Sequence, residues 1–334
     1  MIKRLAHASR LLPIFILLAC LGWPRLLLAE SPEPPDIKGT IAYINPDSAI
    51  PFWDIMARGI KHQASMHGYA VQVYSANNSA RQELEQLSRI IQQETDGLVI
   101  SPTTSSAGAT LIKLASAADL PVVVSDIGAD SDRYVSFIAS DNFQGAHALG
   151  KVLAQALKAR NWEDGQVGIV AIPQSRQNGR ARTAGFVQAL EKAGIQAGGM
   201  RQLVDFSYTE TYTFCRELFD AEPNLRALWL QTSDEYQAAL DAIRDAGLQD
   251  QILLVAFDAE PEFIDLIANG KLISSAMQQP FLMGEKAAQN LIQHLQGKPV
   301  PKESRLPVLV ISNQNLEQSL PLIQRNVLGQ EVMP

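Results

Sequence analysis

Nine residues with side chains suited to ligand binding lie at, or just after, the ends of short apolar segments of this chain. They comprise three aromatic residues, two carboxylates, one guanidinium, one amide and two hydroxyls: Phe52, Trp53, Ser101, Asp126, Arg180, Phe206, Thr232, Asp258 and Gln278. Aromatic faces pack on the C–H surface of a sugar ring, and the polar groups pair with its hydroxyls. The set therefore predicts a site for a polyhydroxylated ring.

The elements that must position these residues alternate between β-rich and amphipathic helical segments. Apolar strands are predicted at residues 39–45, 69–74, 97–100, 120–125 and 134–139, and again at 166–172, 199–204, 225–230, 252–257 and 272–277. Helices are predicted at 51–68, 79–95, 179–193 and 234–246. This alternation is typical of parallel sheets covered on both faces, in an α/β fold with two doubly wound lobes. Ligands of such sheets bind beyond the carboxyl ends of the strands.

The first thirty residues have the pattern of a targeting segment. Lys3 and Arg4 precede an apolar run at 11–21, which is short for a membrane span and suits a signal peptide. Cleavage after Ala29 would give a signal peptide at 1–29 and a proline-rich linker at 30–37, with the mature protein outside the cytoplasm. A lipobox-like string ending at Cys20 leaves acylation there as an alternative. An uncleaved membrane anchor is the third possibility.

Composition and motifs argue against several other classes of protein. The net charge is −7 and no basic run occurs, so the electrostatic pattern of a nucleic-acid-binding protein is missing. The sequence contains no nucleophile elbow, P-loop, zinc-protease motif or dinucleotide-binding glycine turn. His62 and His67 are spaced off one helical face, which disfavours a metal site. We therefore predict no enzyme activity, cofactor or metal. Cys215, the only thiol after leader removal, is predicted to be a buried apolar residue.

Five strings of the sequence resemble those of the type I periplasmic binding proteins, and of their ribose-binding branch in particular. They are IPFW at 50–53, ASDN at 139–142, RARTAGF at 180–186, FDA at 257–259 and QQP at 278–280. The resemblance covers nearly everything from Lys38 to about Ser312, and it rests on the order and spacing of the strings.

The resemblance implies a domain organisation and roles for the nine residues. The first lobe would comprise 38–140 and 279–307, and the second 141–278 and 308–334. A hinge of three crossovers would lie near 140–141, 278–279 and 306–308. Phe52 and Trp53 would stack on the ligand and Asp126 would bind its hydroxyls. The second lobe and the hinge would contribute Arg180, Phe206, Asp258 and Gln278.

Each of these assignments has a structural alternative. Phe52 and Trp53 could anchor the first helix, and Arg180 could pair with a surface carboxylate. Asp126 and Asp258 could cap the helices that follow them. Tyr208 or Tyr212 could supply the ring assigned to Phe206.

Departures from the ribose-binding pattern point to a different ligand. Ile50 stands where ribose binders carry asparagine, Ser101 stands at another asparagine position, and Ile127 replaces an arginine. Thr232 or Ser233 stands where a further asparagine is usual. The first lobe thus loses polar partners, so we expect a ligand less hydroxylated than ribose, or one of different shape.

The resemblance and the leader together predict a monomeric periplasmic solute-binding protein. It would capture a sugar or related polyol between its lobes for the membrane permease of an ABC importer. The alternative is a ligand-sensing subunit for a membrane histidine kinase or chemoreceptor. The tail after Ser312 could serve a partner in either role.

Overall fold

The structure is a computed structural model that describes residues 37–330 of the chain. The strands in this range are β1 Gly39–Asn45, β2 Tyr69–Ser75, β3 Gly97–Ile100, β4 Val122–Ser125, β5 Ser136–Ser140, β6 Gln166–Ala171, β7 Gln196–Gln202, β8 Leu225–Leu230, β9 Leu253–Phe257, β10 Ser274–Met277, β11 Glu303–Leu306 and β12 Leu309–Ser312. The helices are α1 Pro51–Ser65, α2 Ala80–Ile91, α3 Ser105–Ala117, α4 Asn142–Lys158, α5 Gln177–Ala193, α6 Tyr208–Ala221, α7 Tyr236–Asp245, α8 Phe263–Ala268, α9 Pro280–Leu295 and α10 Leu316–Leu322. A π-helix, Ile323–Val327, follows α10.

The strands form two six-stranded sheets with the same internal order. The first sheet runs β11-β5-β4-β3-β1-β2 and the second runs β12-β10-β9-β8-β6-β7. Pairing is parallel throughout, except that β12 lies antiparallel to β10. The strand order reverses at β1 in the first sheet and at β6 in the second. In folds of this kind a ligand crevice lies beyond the carboxyl ends of the strands at such a reversal. The predicted fold, two doubly wound α/β lobes, is confirmed.

Local sequence explains where the helices of the first lobe begin. Pro51 occupies the first turn of α1. A backbone N–H at this position makes no hydrogen bond within the helix, so proline, which lacks it, is tolerated there. Ser79 caps α2, and Thr104 accepts a hydrogen bond from Ala107 N at the start of α3. Strand β3, between α2 and α3, and strand β4, after α3, are buried along their whole length, as their apolar runs predict.

Within residues 37–330, the chain crosses between the two sheets three times. One crossing follows β5 at Ser140, the second follows β10 between Met277 and Pro280, and the third joins β11 at Leu306 to β12 at Leu309. Helix α4 then packs on the second sheet and α9 packs on the first. The three crossovers of the predicted fold are therefore present.

The C-terminal segment, residues 313–330, contacts both lobes. Ile323 and Val327 are buried in the core of the second lobe. On the first-lobe side, Arg325 Nη2 donates to both carboxylate oxygens of Glu285, each at 2.9 Å. The Arg58 guanidinium donates to the carbonyls of Leu328 and Gly329, at 3.1 and 2.7 Å. The segment is thus an additional, noncovalent link between the lobes.

One strand begins more than two residues away from its predicted start. The strand expected at 199–204 is β7, which begins three residues earlier, at Gln196. This edge strand contains Gly198 and Gly199, and none of its seven residues is buried, so no apolar run marks its start. Cys215 is buried in the core of the second lobe, as predicted.

The predicted signal peptide at 1–29, Cys20, nearly all of the linker, and the last four residues lie outside the described residues. Across residues 37–330, no helix combines the length and apolarity needed to cross a bilayer.

Candidate ligand-binding cleft

Two aspartates occupy equivalent positions in the two lobes. Asp126 directly follows β4 and Asp258 directly follows β9. Each backbone N–H donates at 2.9 Å to a carbonyl of the neighbouring strand, and φ is +61° for Asp126 and +68° for Asp258. This left-handed conformation is costly for most side chains and is tolerated best by Gly, Asn and Asp. Both side chains line the cleft between the two sheets.

Asp258 is held by a buried polar network in the second lobe and the hinge. Arg182 on α5 is only 2% exposed, and its Nη1 donates to Asp258 Oδ2 at 3.3 Å and to the Gln231 carbonyl at 2.7 Å. Its Nε donates to Asn142 Oδ1 at 2.8 Å. Gln278 Nε2 donates to the other Asp258 oxygen at 2.8 Å. Both oxygens of Asp258 are therefore engaged.

One carboxylate oxygen of Asp126 accepts a hydrogen bond from across the cleft, and the other has no hydrogen-bond partner among the described residues. Asn178 Nδ2, in the first turn of α5, donates to Asp126 Oδ2 at 3.0 Å. Asp126 Oδ1 and Gln278 Oε1 are buried and have no hydrogen-bond partner among the described residues. A buried acceptor without a donor is costly, so both oxygens have capacity for a donor that enters the cleft.

Arg176 makes a second connection across the cleft. This residue precedes α5 and is 7% exposed. Its Nε donates to the carbonyl of Thr103 in the first lobe at 2.9 Å, and its guanidinium lies 5.3 Å from the ring centroid of Phe206. Glu83 lies behind Thr103 and accepts hydrogen bonds from Thr103 N and Oγ1, at 2.6 and 2.9 Å.

The amino end of α5 is completed by the other lobe. Arg176, the residue before the helix, supplies no side-chain cap. Instead, Gln177 N donates to Ser105 Oγ of the first lobe at 3.0 Å, and Gln177 Nε2 donates to the Ala129 carbonyl at 3.2 Å. The lobes are thus hydrogen-bonded to each other through the first turn of α5.

The aromatic pair lies at the start of α1 and serves two purposes. The rings of Phe52 and Trp53 meet edge to face, with centroids 4.8 Å apart. Trp53 is 6% exposed and packs in the core of the first lobe, yet both rings also line the cleft. The helix-anchoring alternative and the cleft position are therefore compatible.

Burial shifts the pKa values of several charged side chains in the cleft. It raises the pKa of Asp126 to about 6, although the Arg182 guanidinium works in the opposite direction. It also raises the pKa of Asp234 to about 6, against a hydrogen bond from Thr232 Oγ1 at 2.8 Å. Burial lowers the pKa of Arg176 to about 10. Near neutral pH the two carboxyls are mostly ionised and the guanidinium remains charged.

The structure brings seven of the nine predicted residues to the cleft lining: Phe52, Trp53, Asp126, Phe206, Thr232, Asp258 and Gln278. Ser101 lies beneath the lining instead, fully buried, with its hydroxyl 3.2 Å from Tyr43 Oη. The placement of Arg180 in the cleft was wrong. Its side chain is exposed, and Nη1 donates to the Gln174 carbonyl at 2.9 Å.

The arginine of α5 that reaches the cleft is Arg182, and a helical pattern could have identified it. The buried face of α5 includes Asn178, Arg182, Gly185 and Ala189, spaced by three or four residues. Arg180 lies two residues from Arg182, on the opposite side of a helix with 3.6 residues per turn. Arg176, Asn178 and Asp234 also line the cleft but were not predicted. Arg176 and Asp234 follow their strands through irregular loops, and Asn178 precedes Gly179, where the helix was predicted to begin.

The cleft is narrow in this arrangement of the lobes. The space enclosed by its lining is about 30 Å³, enough for roughly one or two water molecules. A sugar ring therefore enters only if the lobes separate. A larger groove of about 710 Å³ lies elsewhere, at the amino ends of β9 and β10. It lacks the buried polar side chains that converge in the cleft.

Comparison with known proteins agrees with this architecture. The family model described as periplasmic binding protein domain matches residues 41–299. The ribose import binding protein of Bacillus subtilis is 27% identical over 307 residues, which cover 92% of this chain and 98% of that protein.

Two solved structures share the fold. A carbohydrate transporter solute-binding protein from Agrobacterium radiobacter in complex with D-arabinose superposes with a TM-score of 0.80 at 22% identity, covering 86% of this chain and 98% of that one. The fructose-binding periplasmic domain of a hybrid two-component system gives a TM-score of 0.78 at 20% identity, covering 86% and 95%. Since the family model spans well over half of the chain, this protein belongs to the periplasmic binding protein domain family.

Proposed function

We propose that the protein is exported to the periplasm, captures a sugar or related polyol between its lobes, and passes it unchanged to the permease of an ABC importer. The observation that carries this proposal is the convergence of the two lobes on one lining. Carboxylate, guanidinium and amide groups lie there beside the rings of Phe52, Trp53 and Phe206. This combination suits the hydroxyls and the C–H faces of a carbohydrate.

The relatives support the same conclusion. The similar protein of B. subtilis is named a ribose import binding protein, and the A. radiobacter structure contains D-arabinose. Ribose itself is not the ligand that we propose, because Ile50 and Ile127 replace polar residues of the ribose-binding pattern. Ile50 lies in the cleft lining, so that end of the cleft is more apolar and favours a ligand with fewer hydroxyls there.

The second candidate role is that of a sensor. The same fold occurs in the fructose-binding domain of a hybrid two-component system. In both roles the ligand would bring the lobes together, so the difference lies in the membrane partner that reads the closed form. Co-purification of the full-length protein from membranes distinguishes the roles, through recovery of either a permease with its ATPase or a kinase.

Lobe closure is the test of the binding mechanism. A thermal-shift screen of pentoses, hexoses, polyols and small non-sugar metabolites first identifies a ligand. Small-angle scattering at saturating ligand should then show a smaller radius of gyration than scattering without it, because a ligand bound to both lobes favours their approach. Chromatography of the released ligand should return it chemically intact. An unchanged radius of gyration, or a converted ligand, contradicts the proposal.

A further inference from the structure

Negative charge exceeds positive charge in the cleft lining. The lining contains three carboxylates, those of Asp126, Asp234 and Asp258, and two guanidinium groups, those of Arg176 and Arg182. A buried charge without a counter-charge is costly, so an uneven count favours a ligand that restores the balance.

The carboxyl groups behind the lining add only a little to the negative excess. Burial raises the pKa of Glu83 and of Glu260 to about 7. These two groups therefore carry only part of a negative charge near neutral pH. Asp126 and Asp234, whose pKa values are about 6, are mostly ionised there. The excess accordingly resides in the lining itself.

Two acceptors in the lining lack donors. Asp126 Oδ1 and Gln278 Oε1 have no partner among the described residues, and the two side chains are 3% and 1% exposed. An ionised carboxylate and an amide oxygen can only accept hydrogen bonds. Both cleft guanidinium groups already donate to protein oxygens, Arg182 to Asp258 and Arg176 to Thr103. The ligand therefore meets Asp126 and Gln278 with donors of its own.

We propose that the ligand carries a protonated amine, as in an amino sugar or an amino-bearing polyol, and that this ammonium binds at Asp126 and Gln278. The inference rests on the proposed function and narrows its ligand class. An ammonium supplies three donors and one positive charge, which meets both requirements of the lining. The rings of Phe52 and Trp53 add a favourable surface for a cation. A sugar acid or sugar phosphate would enlarge the charge excess.

Calorimetry with matched pairs of ligands tests the proposal. The probes are D-glucosamine, D-galactosamine, D-mannosamine and 1-amino-1-deoxy-D-sorbitol, each compared with its neutral parent, and the N-acetyl derivatives of the three sugars. At neutral pH we expect at least one amine to bind about tenfold or more tightly than its parent and its N-acetyl form.

A pair of charge-neutralising variants locates the effect. Asp234→Asn removes the excess negative charge from the lining. Because the attraction for the ammonium is then weaker, the affinity ratio of amine to neutral parent should fall about tenfold. Asp250→Asn makes the same charge change at an exposed position outside the cleft, and it should leave the preference unchanged.

The outcomes separate the inference from the function on which it rests. If a neutral parent binds as tightly as its amine or more tightly, the charge inference is wrong and carbohydrate binding stands. If no member of the panel binds, the charge inference is wrong, and the thermal-shift screen of pentoses, hexoses and polyols decides separately whether carbohydrate binding stands. An equal loss of preference in Asp234→Asn and Asp250→Asn would show that general surface charge, rather than the lining, attracts the amine.

Discussion

At the scale of single residues, Arg182 and Arg180 show how strongly function depends on helical phase. Two arginines of one helix, two residues apart, differ in burial and in hydrogen-bond partners. Arg182 is the buried partner of Asp258, whereas Arg180 meets solvent and one loop carbonyl.

Arg182→Ala should therefore abolish ligand binding and lower the free energy of unfolding by about 3–5 kcal/mol, since it leaves Asp258 buried without its counter-charge. Arg180→Ala, the matched control, should change the free energy of unfolding by less than about 0.5 kcal/mol and leave affinity intact. Urea denaturation and calorimetry measure both quantities. Equal effects of the two substitutions would contradict the assignment.

The ionisation of Asp126 predicts a pH dependence of stability. Burial raises its pKa from 3.8 to about 6, so the native protein binds this proton more tightly than the unfolded chain does. The contribution of Asp126 to stability is therefore fully present below pH 3.8 and is lost as the pH rises through about 6.

Asp126→Asn lacks this titration and preserves the shape and the left-handed backbone conformation of the residue. Between pH values of roughly 4 and 7, the stability of the parent relative to this variant should fall by about 2–3 kcal/mol, measured by chemical denaturation. Asp250→Asn is the control for a lost surface carboxylate. A stability difference between the parent and Asp126→Asn that stays constant with pH would contradict the prediction.

At the scale of elements, the position of α5 depends on a close contact with α4. A Cβ atom added at Gly185 would lie 2.1 Å from the carbonyl oxygen of Phe143. Because α5 carries Asn178 and Arg182 into the cleft, any displacement of this helix also displaces those two side chains.

Gly185→Ala should lower the free energy of unfolding by about 1–3 kcal/mol through overpacking, and it should weaken ligand binding at the same time. Ala184→Ser, at the exposed neighbouring position, is the control and should affect neither property. Denaturation and calorimetry on the two variants test this. A fully stable Gly185→Ala protein with parental affinity would show that α4 and α5 can separate without consequence.

A feature of this molecule can be predicted from sequence when a short run of neighbouring residues determines it. Buried strands such as β3, β4 and β9 were predicted within a few residues, because continuous apolar runs define them. The edge strand β7, with its two glycines and exposed side chains, was misplaced. Asp126 and Asp258 were found because they directly follow such runs. Arg176 and Asp234 were missed because loops bring them to the cleft, and the loop paths depend on packing between the lobes.

At the scale of the whole molecule, part of the energy that holds the lobes together comes from the protein itself. Ser105 Oγ accepts the first N–H of α5 from across the cleft, and neighbouring bonds reinforce it. The lobes can therefore approach one another to some extent without a ligand, and the apparent affinity depends on the fraction of molecules that do so.

Ser105→Ala should weaken ligand affinity several-fold, by about 1 kcal/mol, although Ser105 lies outside the cleft lining. The ligand-free variant should also have a larger radius of gyration in solution. Ser106→Ala, which removes the next hydroxyl of the same helix, should change neither the affinity nor the radius of gyration. If Ser105→Ala matches the parent in both measurements, the contacts between the lobes do not contribute to affinity.

The C-terminal segment gives the hinge a preferred direction of rotation. Ile323 and Val327 fix this segment in the second lobe, while Arg325 and Arg58 attach it to helices of the first lobe. Asn326 Nδ2 also donates to Gln279 Oε1 at 2.8 Å, beside the second crossover. A rotation that moves the lobes apart at the C-terminal segment breaks all of these bonds. A rotation about an axis that runs along the segment preserves them. We therefore expect the cleft to open away from the C-terminal segment, so that ligands enter and leave at one mouth only.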